Sequence, residues 1–365
     1  MSHAERENGV RRMCMAKCAD IVDRLVAQRG LSQQEYIALL TDYDRSTLDY
    51  AAEKARAVRE QHFGRGVYLR GLVEVSNICS CGCYYCGLRA QNSRVVRYAM
   101  TADEIVGACA QGYEAGLRTF VLQGGQVAGR EEFVADVVRK IKSQMPNVAV
   151  TLSLGEQPTE VYALWRKAGA DRYLLRHESA NAELYRAIHP QGMNFENRHR
   201  CLAELRRLGY QIGAGFMVGV PGQTPQVLAE EIKLLEQLSP EMVGIGPFIP
   251  QSDTPFGDKS RGSVELTLLL LSIVRLVLPE VLLPATTALA TAGQDGTLQG
   301  ILAGANVVMP NITPLCYRDK YAIYDGKKSS GSESVEGVAL LQQKIETIGY
   351  EVDWSRGDHP QFAQE

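Results

Sequence analysis

Four cysteines stand in one short stretch, Ser76-Asn77-Ile78-Cys79-Ser80-Cys81-Gly82-Cys83-Tyr84-Tyr85-Cys86-Gly87. Cys79, Cys83 and Cys86 make a C-x3-C-x2-C spacing, and Cys81 is a fourth thiol in the same loop. Three closely spaced thiolates can hold three irons of a cubane [4Fe–4S] cluster, whose usual complement is four cysteines. The remaining iron is then free to take an outside molecule, much as a catalytic zinc keeps an open position. Zinc is the competing occupant, with Cys81 as its fourth ligand. The spacing C-x-C-x-C-x2-C is poor for paired zinc knuckles, however, and no His lies nearby. Cys81 is therefore read as a bystander or a substitute ligand.

The rest of the composition bounds the setting. A chain of 365 residues can bury a large core, as two domains or as one α/β barrel with extensions. Lys+Arg is 39 and Asp+Glu is 42, a net charge of −3, with no basic block or aromatic-rich basic stripe of the kind that binds nucleic acid. Nine cysteines, four of them crowded into one loop, fit a reduced compartment and a metal better than a disulfide framework. The first residues carry no apolar export segment, and the apolar run 266–274 is about half the ~20 residues a membrane span needs. The expectation is a cytoplasmic protein with no membrane and no nucleic-acid partner.

The elements that must position the thiols follow a repeating pattern. Residues 1–65 read as an N-terminal helical extension: Ile21, Leu25 and Val26 recur at helical spacing, Ser32 with Glu35 forms a capping box, and a helix over 46–62 is closed by Gly64. Cys14 and Cys18 would share a helix face there, but two ligands do not close a metal site. From Val67 onward, β-rich runs alternate with amphipathic helices. The strands fall near 68–75, 119–123, 148–154, 172–176, 211–217, 242–246, 281–286 and 306–309. The helices follow near 102–116, 130–144, 158–168, 196–208, 224–237, 263–277, 295–303 and 335–348. Eight such units fit a complete (β/α)8 TIM barrel over 66–350, with 351–365 as a C-terminal tail. An open doubly wound sheet is the alternative.

Strand faces add chemistry to this count. Period-2 alternation puts Arg172, Leu174, Arg176 and Glu178 on one face, and Tyr173, Leu175 and His177 on the other. Arg70, Leu72, Glu74 and Ser76 group in the same way, as do Thr151 and Ser153. A barrel lumen is normally filled with branched apolar side chains, so charges there need partners or a purpose. They either pair with one another or line an internal cavity for a carboxylate-bearing or otherwise anionic substrate, which Arg forks hold well. The remaining motifs fall at the C-terminal strand ends, where barrel active sites gather: Gln123-Gly124-Gly125-Gln126, Ser153-Leu154-Gly155-Glu156, Arg176-His177-Glu178, Thr286-Thr287 and Met309-Pro310-Asn311.

The cysteine spacing, with an aromatic before the third cysteine, resembles the signature of the radical S-adenosylmethionine (SAM) enzymes. The runs at 76–89, 151–156, 170–178, 195–198, 242–250, 284–288 and 305–311 resemble more specifically the HydE family, the radical SAM maturases of [FeFe]-hydrogenase, over about 65–350. The resemblance implies one [4Fe–4S] cluster on Cys79, Cys83 and Cys86, with SAM chelated at the open iron and cleaved to a 5′-deoxyadenosyl radical. It implies SAM contacts from Tyr85, Gly124, Gly125, Ser153, Glu178 and Arg198. A carboxylate such as Glu178 can accept both ribose hydroxyls. It implies a substrate cavity lined by Thr151, Arg176, Thr286, Thr287, Met309 and Tyr324, to which the strand-face reading adds Arg172. The implied substrate is a cysteine-bound Fe(CO)(CN) species on the way to the hydrogenase H-cluster. The implied partners are other maturation proteins and an electron donor, with the barrel acting as a monomer.

Two departures stand out. The superfamily's Gly-Gly-Glu is here Gly124-Gly125-Gln126, so a salt bridge from that carboxylate to the SAM amino group is lost. Some HydE proteins carry a second cluster near the C-terminus, but the corresponding stretch 327–333 has no cysteine. That also argues against biotin synthase. Two other functions compete: a radical SAM mutase or C–H-activating enzyme on a free amino acid, of the methylornithine synthase type, and a non-catalytic iron–sulfur scaffold with Cys81 as fourth ligand.

Overall fold

The computed structural model describes residues 17–327 and 337–363. Cys14 and residues 328–333 lie outside them. Parallel strands run Gly66–Leu69 continued by Gly71–Ser76, then Thr119–Gly124, Ala149–Ser153, Arg172–Leu174, Gln211–Ala214, Met242–Val243, Pro284–Ala285 and Val307–Val308. Neighbours pair in that order from the first to the sixth. The sixth meets the seventh through the Met242–Leu282 bridge. The seventh pairs with the eighth, and the eighth returns to the first through Tyr68–Val307. The ring of eight is thus closed, the barrel that the alternating pattern predicts.

The helices form where capping and apolar periodicity place them. Thr101 caps the helix Ala102–Glu114 through a reciprocal box with Glu104, a feature that contributes roughly 1 kcal/mol. In the helix Thr159–Ala168, Val161, Tyr162, Trp165 and Ala168 share the buried face. That face meets the outward side of the fourth strand, where the Trp165 ring lies parallel to Tyr173 at 6.2 Å. Tyr173 therefore points out into the helix layer, and the alternate residues point into the lumen.

The N-terminal helices pack on the outside of the barrel. Arg45–Phe63 ends at Gly64, whose φ of 56° needs glycine. In the helix Val264–Val277 every residue from Thr267 to Val277 is buried, the polar Thr267, Ser272 and Arg275 among them. Among the described residues no helix is long and apolar enough to cross a membrane. Gln33–Asp42 is tied to the helix Pro225–Leu238 by Tyr36 Oη donating to Glu236 at 2.5 Å.

Beyond residue 350 the chain joins the barrel. Glu351–Asp353 pairs in parallel with Gly66–Tyr68, taking below the neighbour position that Thr119–Gly124 takes above. Residues 356–359 then cross under the lumen. Asp358 accepts from Arg172 at 2.6 Å, from Gln211 at 2.8 Å and from Arg356 at 2.8 Å. This segment is the floor of the barrel.

Candidate active site

The loop after the first strand is held by backbone carbonyls converging on one side chain. Arg97 donates to Asn77 O at 2.7 Å, Leu88 O at 2.9 Å, Arg89 O at 2.7 Å and Asn92 O at 3.1 Å. The Asn77 amide ties the start of the loop to Val96 O and Lys320 O. The loop is thus preorganised with Cys79, Cys81, Cys83 and Cys86 facing one cavity of about 340 Å³. A hydrogen bond with Cys81 draws the Cys79 thiol down from its ordinary value. Burial pushes Cys83 up to about 12 and raises Cys86 as well. A cubane takes one thiolate per iron from sulfurs spread over a wider face, and the donor set Cys79, Cys83 and Cys86 fits it.

The second-strand loop packs directly on the thiols. A Cβ on Gly125 would lie 2.2 Å from Ile78 O and 2.5 Å from Cys79 Cβ, so only glycine brings this backbone so close. Gln126 uses its main-chain carbonyl to accept from Ser80 N at 2.8 Å and its side-chain oxygen to accept from Glu156 N at 2.8 Å. The residue that replaces the superfamily's carboxylate therefore joins the ends of the first three strands.

Glu178 and Arg198 reach the cavity from the fourth strand and from the helix Phe195–Arg207. Glu178 has a φ of 65°, a left-handed backbone that costs of order 1–3 kcal/mol in a residue other than glycine and collects at functional sites. Its Oε2 is buried without a hydrogen bond. Arg176 Nη2 lies 3.3 Å away, close enough to attract but not aligned to bond. Arg198 donates to Glu156 Oε1 at 2.5 Å and to Arg176 O at 2.8 Å. Glu156, 42 residues distant in sequence, is the partner that sequence spacing does not reveal. Tyr85 Oη meets His189 Nε2 at 3.1 Å. His189 donates from Nδ1 to Tyr185 O at 2.9 Å, and burial holds it down to about 4, so a neutral imidazole fixes the Tyr85 ring.

Fifteen residues expected at the site line this one cavity: Cys79, Cys83, Cys86, Tyr85, Gly124, Gly125, Ser153, Glu178, Arg198, Thr151, Arg176, Thr286, Thr287, Met309 and Tyr324. Arg172 does not. It faces the lumen as its alternation predicts, but in the lowest layer. There it is wholly buried and bonded to Thr119 at 3.1 Å and to Asp358 at 2.6 Å. Period-2 reasoning assigns a face and not a depth, and Arg172 opens its strand at the far end. The structure also adds a pair that the sequence reading did not connect. Lys327 meets the buried Glu74 in the cavity wall, 253 residues away in sequence. Glu74 Oε2, Thr151 Oγ1 and Arg176 Nε are buried and without protein partners, and all three residues line the cavity. Buried polar atoms are costly unless something bonds them, so the cavity suits a polar ligand.

A closed (β/α)8 barrel, with three cysteines on the loop after its first strand and a polar cavity beneath them, is the arrangement of a radical SAM enzyme. The sequence pattern of the Radical SAM superfamily matches residues 73–235. The [FeFe] hydrogenase maturase subunit HydE of Thermotoga maritima is 40% identical over 90% of this chain and 94% of its own length. The 3-methylornithine synthase of Methanosarcina barkeri is 26% identical over 93% of this chain and 95% of its own. The crystal structure of methylornithine synthase superposes with a TM-score of 0.79 at 26% identity, covering 91% of this chain and 97% of that one. The chain belongs to the HydE family of radical SAM enzymes. Its cofactors are accordingly a [4Fe–4S] cluster and SAM.

Proposed function

We propose that this enzyme takes part in maturing [FeFe]-hydrogenase, directing a 5′-deoxyadenosyl radical to the sulfur of a cysteine-bound Fe(CO)(CN) precursor of the H-cluster. The observation that carries this reading is the set of unpartnered buried polar atoms in one cavity under the cysteine loop. The match to the Thermotoga maritima maturase over nearly its whole length gives the reading its direction. Cys79, Cys83 and Cys86 hold the cluster, which when bound supplies the electron for reductive cleavage of SAM. Tyr85, Gly124, Gly125, Ser153, Glu178 and Arg198 hold SAM: the glycine backbone takes its methionine end and the Glu178 carboxylate its ribose hydroxyls. Thr151, Arg176, Thr286, Thr287, Met309 and Tyr324 line the substrate's side of the cavity. Arg176, with two unbonded nitrogens, suits a carboxylate or another anionic group. Other maturation proteins deliver the precursor and take the product, and an electron donor serves the cluster.

A second reading has its own support. An acceptor at Glu74 and a donor at Arg176 in one cavity suit a zwitterion, and the methylornithine synthase likeness extends over most of both chains. An anaerobic assay separates the two. The reconstituted, reduced protein is given SAM with either a cysteine-bound Fe(CO)(CN) complex or free amino acids, and deoxyadenosyl products are followed by mass spectrometry. The maturase reading expects an adenosylated product from the iron complex. Stimulation of SAM cleavage by free amino acids alone would replace it with the mutase reading.

A further inference from the structure

Outside the cavity wall, one ionisable pair is completely buried and takes no part in the binding just described. His177 and Glu231 are both 0% exposed, with Nε2 lying 2.8 Å from Oε2. A buried carboxylate is costly unless its oxygens are bonded. Glu231 meets that need with an unusual set of donors. Oε2 accepts from His177 Nε2 and from Ala180 N at 2.8 Å, and Oε1 accepts from Ser179 Oγ at 2.9 Å. These residues flank Glu178 on both sides.

The ring of His177 closes the frame. Its Nδ1 accepts from Gly215 N at 3.2 Å, which puts the imidazole proton on Nε2, where it is donated to Glu231. Gly215 O in turn accepts from Glu178 N at 3.0 Å. Gly215 has a φ of 147°, and a Cβ there would stand 2.0 Å from Gly244 O, so the position admits glycine alone. A left-handed residue such as Glu178 persists only where its surroundings over-determine it. Here those surroundings are a buried carboxylate on the helix Pro225–Leu238 and a glycine of the fifth-strand loop.

We infer that Glu231 is a positioning residue for SAM binding. By clamping residues 177, 179 and 180, it holds Glu178 in the left-handed conformation that aims its carboxylate into the cavity. A return of Glu178 to an ordinary backbone conformation turns that carboxylate out of the site. The inference rests on the proposed role of Glu178 in holding the SAM ribose.

The test uses the cluster-loaded protein and the variants Glu231→Gln, Glu178→Gln and their combination. A glutamine at 231 keeps the volume but removes the charge from all three hydrogen bonds; its oxygen can still accept from His177 Nε2 and Ala180 N, which turns its NH2 toward Ser179 Oγ, where the carboxylate accepted. SAM affinity is read by equilibrium dialysis. Free methionine, which lacks the ribose that Glu178 is proposed to hold, is followed through its effect on the EPR spectrum of the reduced cluster. Glu231→Gln is expected to weaken SAM about tenfold or more, the scale of losing hydrogen bonds to a charged group, while methionine binding is unchanged. The double variant is expected to bind no worse than Glu178→Gln alone. Unchanged SAM affinity in Glu231→Gln, with Glu178→Gln weakened, overturns the inference, as do losses that simply add. If Glu178→Gln itself leaves SAM affinity intact, the proposed role of Glu178 has failed and the inference falls with it. Should Glu231→Gln not fold, Ser179→Ala decides. A loss of about threefold that vanishes in the Glu178→Gln background supports the clamp, and no loss refutes it.

Discussion

Replacing Asp358 by Asn tests the placement of Arg172 at the floor of the barrel. Arg172 donates to Gln211 Oε1 at 3.3 Å, Thr119 Oγ1 at 3.1 Å, Arg356 O and Gly357 O at 3.0 Å, and Asp358 Oδ1 at 2.6 Å. Only the last carries a charge. Breaking a buried pair by neutralising one partner costs roughly 3–5 kcal/mol, because the other charge is left uncompensated. The asparagine oxygen and the remaining acceptors still bond the guanidinium, so the low end, about 3 kcal/mol, is expected here. At roughly 2 cal/mol/K per residue of unfolding entropy, that loss lowers the melting temperature by about 4 °C for a chain of this length. Differential scanning calorimetry of the cluster-loaded protein measures it, with SAM affinity determined on the same sample. SAM binding and cleavage are expected to be intact, since Arg172 does not line the cavity. A change under about 1 °C would refute the energetic argument. An unshifted melting temperature with SAM cleavage lost would return Arg172 to the active site.

Cys79→Ala is expected to abolish the visible absorbance of the cluster, whereas Cys81→Ala retains it together with SAM cleavage. The opposite pattern would make Cys81 a ligand. Gly125→Ala, whose new methyl would sit 2.2 Å from Ile78 O, is expected to push the Cys79 segment aside and lower the iron content per chain, with normal iron counting against the close packing. Lys327→Met tests the cavity-wall pair through pH. Burial holds the Glu74 pKa above the ordinary carboxylate range even with Lys327 beside it, and removing the ammonium raises it further. A raised acid binds its proton more tightly folded than unfolded, so the variant's stability deficit should widen as pH rises above the ordinary carboxylate range. A deficit independent of pH would show that Glu74 does not titrate there. Asp358 behaves in the opposite sense. Burial opposes its ionisation, but Arg172 and Arg356 outweigh burial and hold it at about 2. Its contribution is complete above the ordinary pKa of about 4 and should fade as pH falls toward 2, visible as an acid limb in melting temperature that Asp358→Asn lacks.

What could be read beforehand was whatever leaves a local or periodic trace. The thiol spacing at 79, 83 and 86 marks a cluster loop, and the alternation Arg172-Tyr173-Leu174-Leu175-Arg176 marks which residues face the lumen. Reciprocal caps such as Ser32 with Glu35 mark helix starts. What could not be read was depth along the lumen and pairing across long loops. Arg172 and Arg176 share a face, yet one is sealed in the floor and the other opens on the cavity. Nothing near Arg198 announces Glu156, and nothing near Arg97 announces that it gathers both ends of the cysteine loop. Those contacts exist only once the barrel brings strand ends together.

The pairing of Glu351–Asp353 with Gly66–Tyr68 has a consequence for how the molecule comes into being. Contacts between residues nearly three hundred positions apart form slowly, because the intervening chain must first be drawn together. During synthesis the cysteine loop is made early, whereas the segment that shuts the opposite end emerges only after all eight strands. Arg172 therefore gains Arg356 O and Gly357 O, and Arg70 gains Gly357 O, only once that last segment has been made.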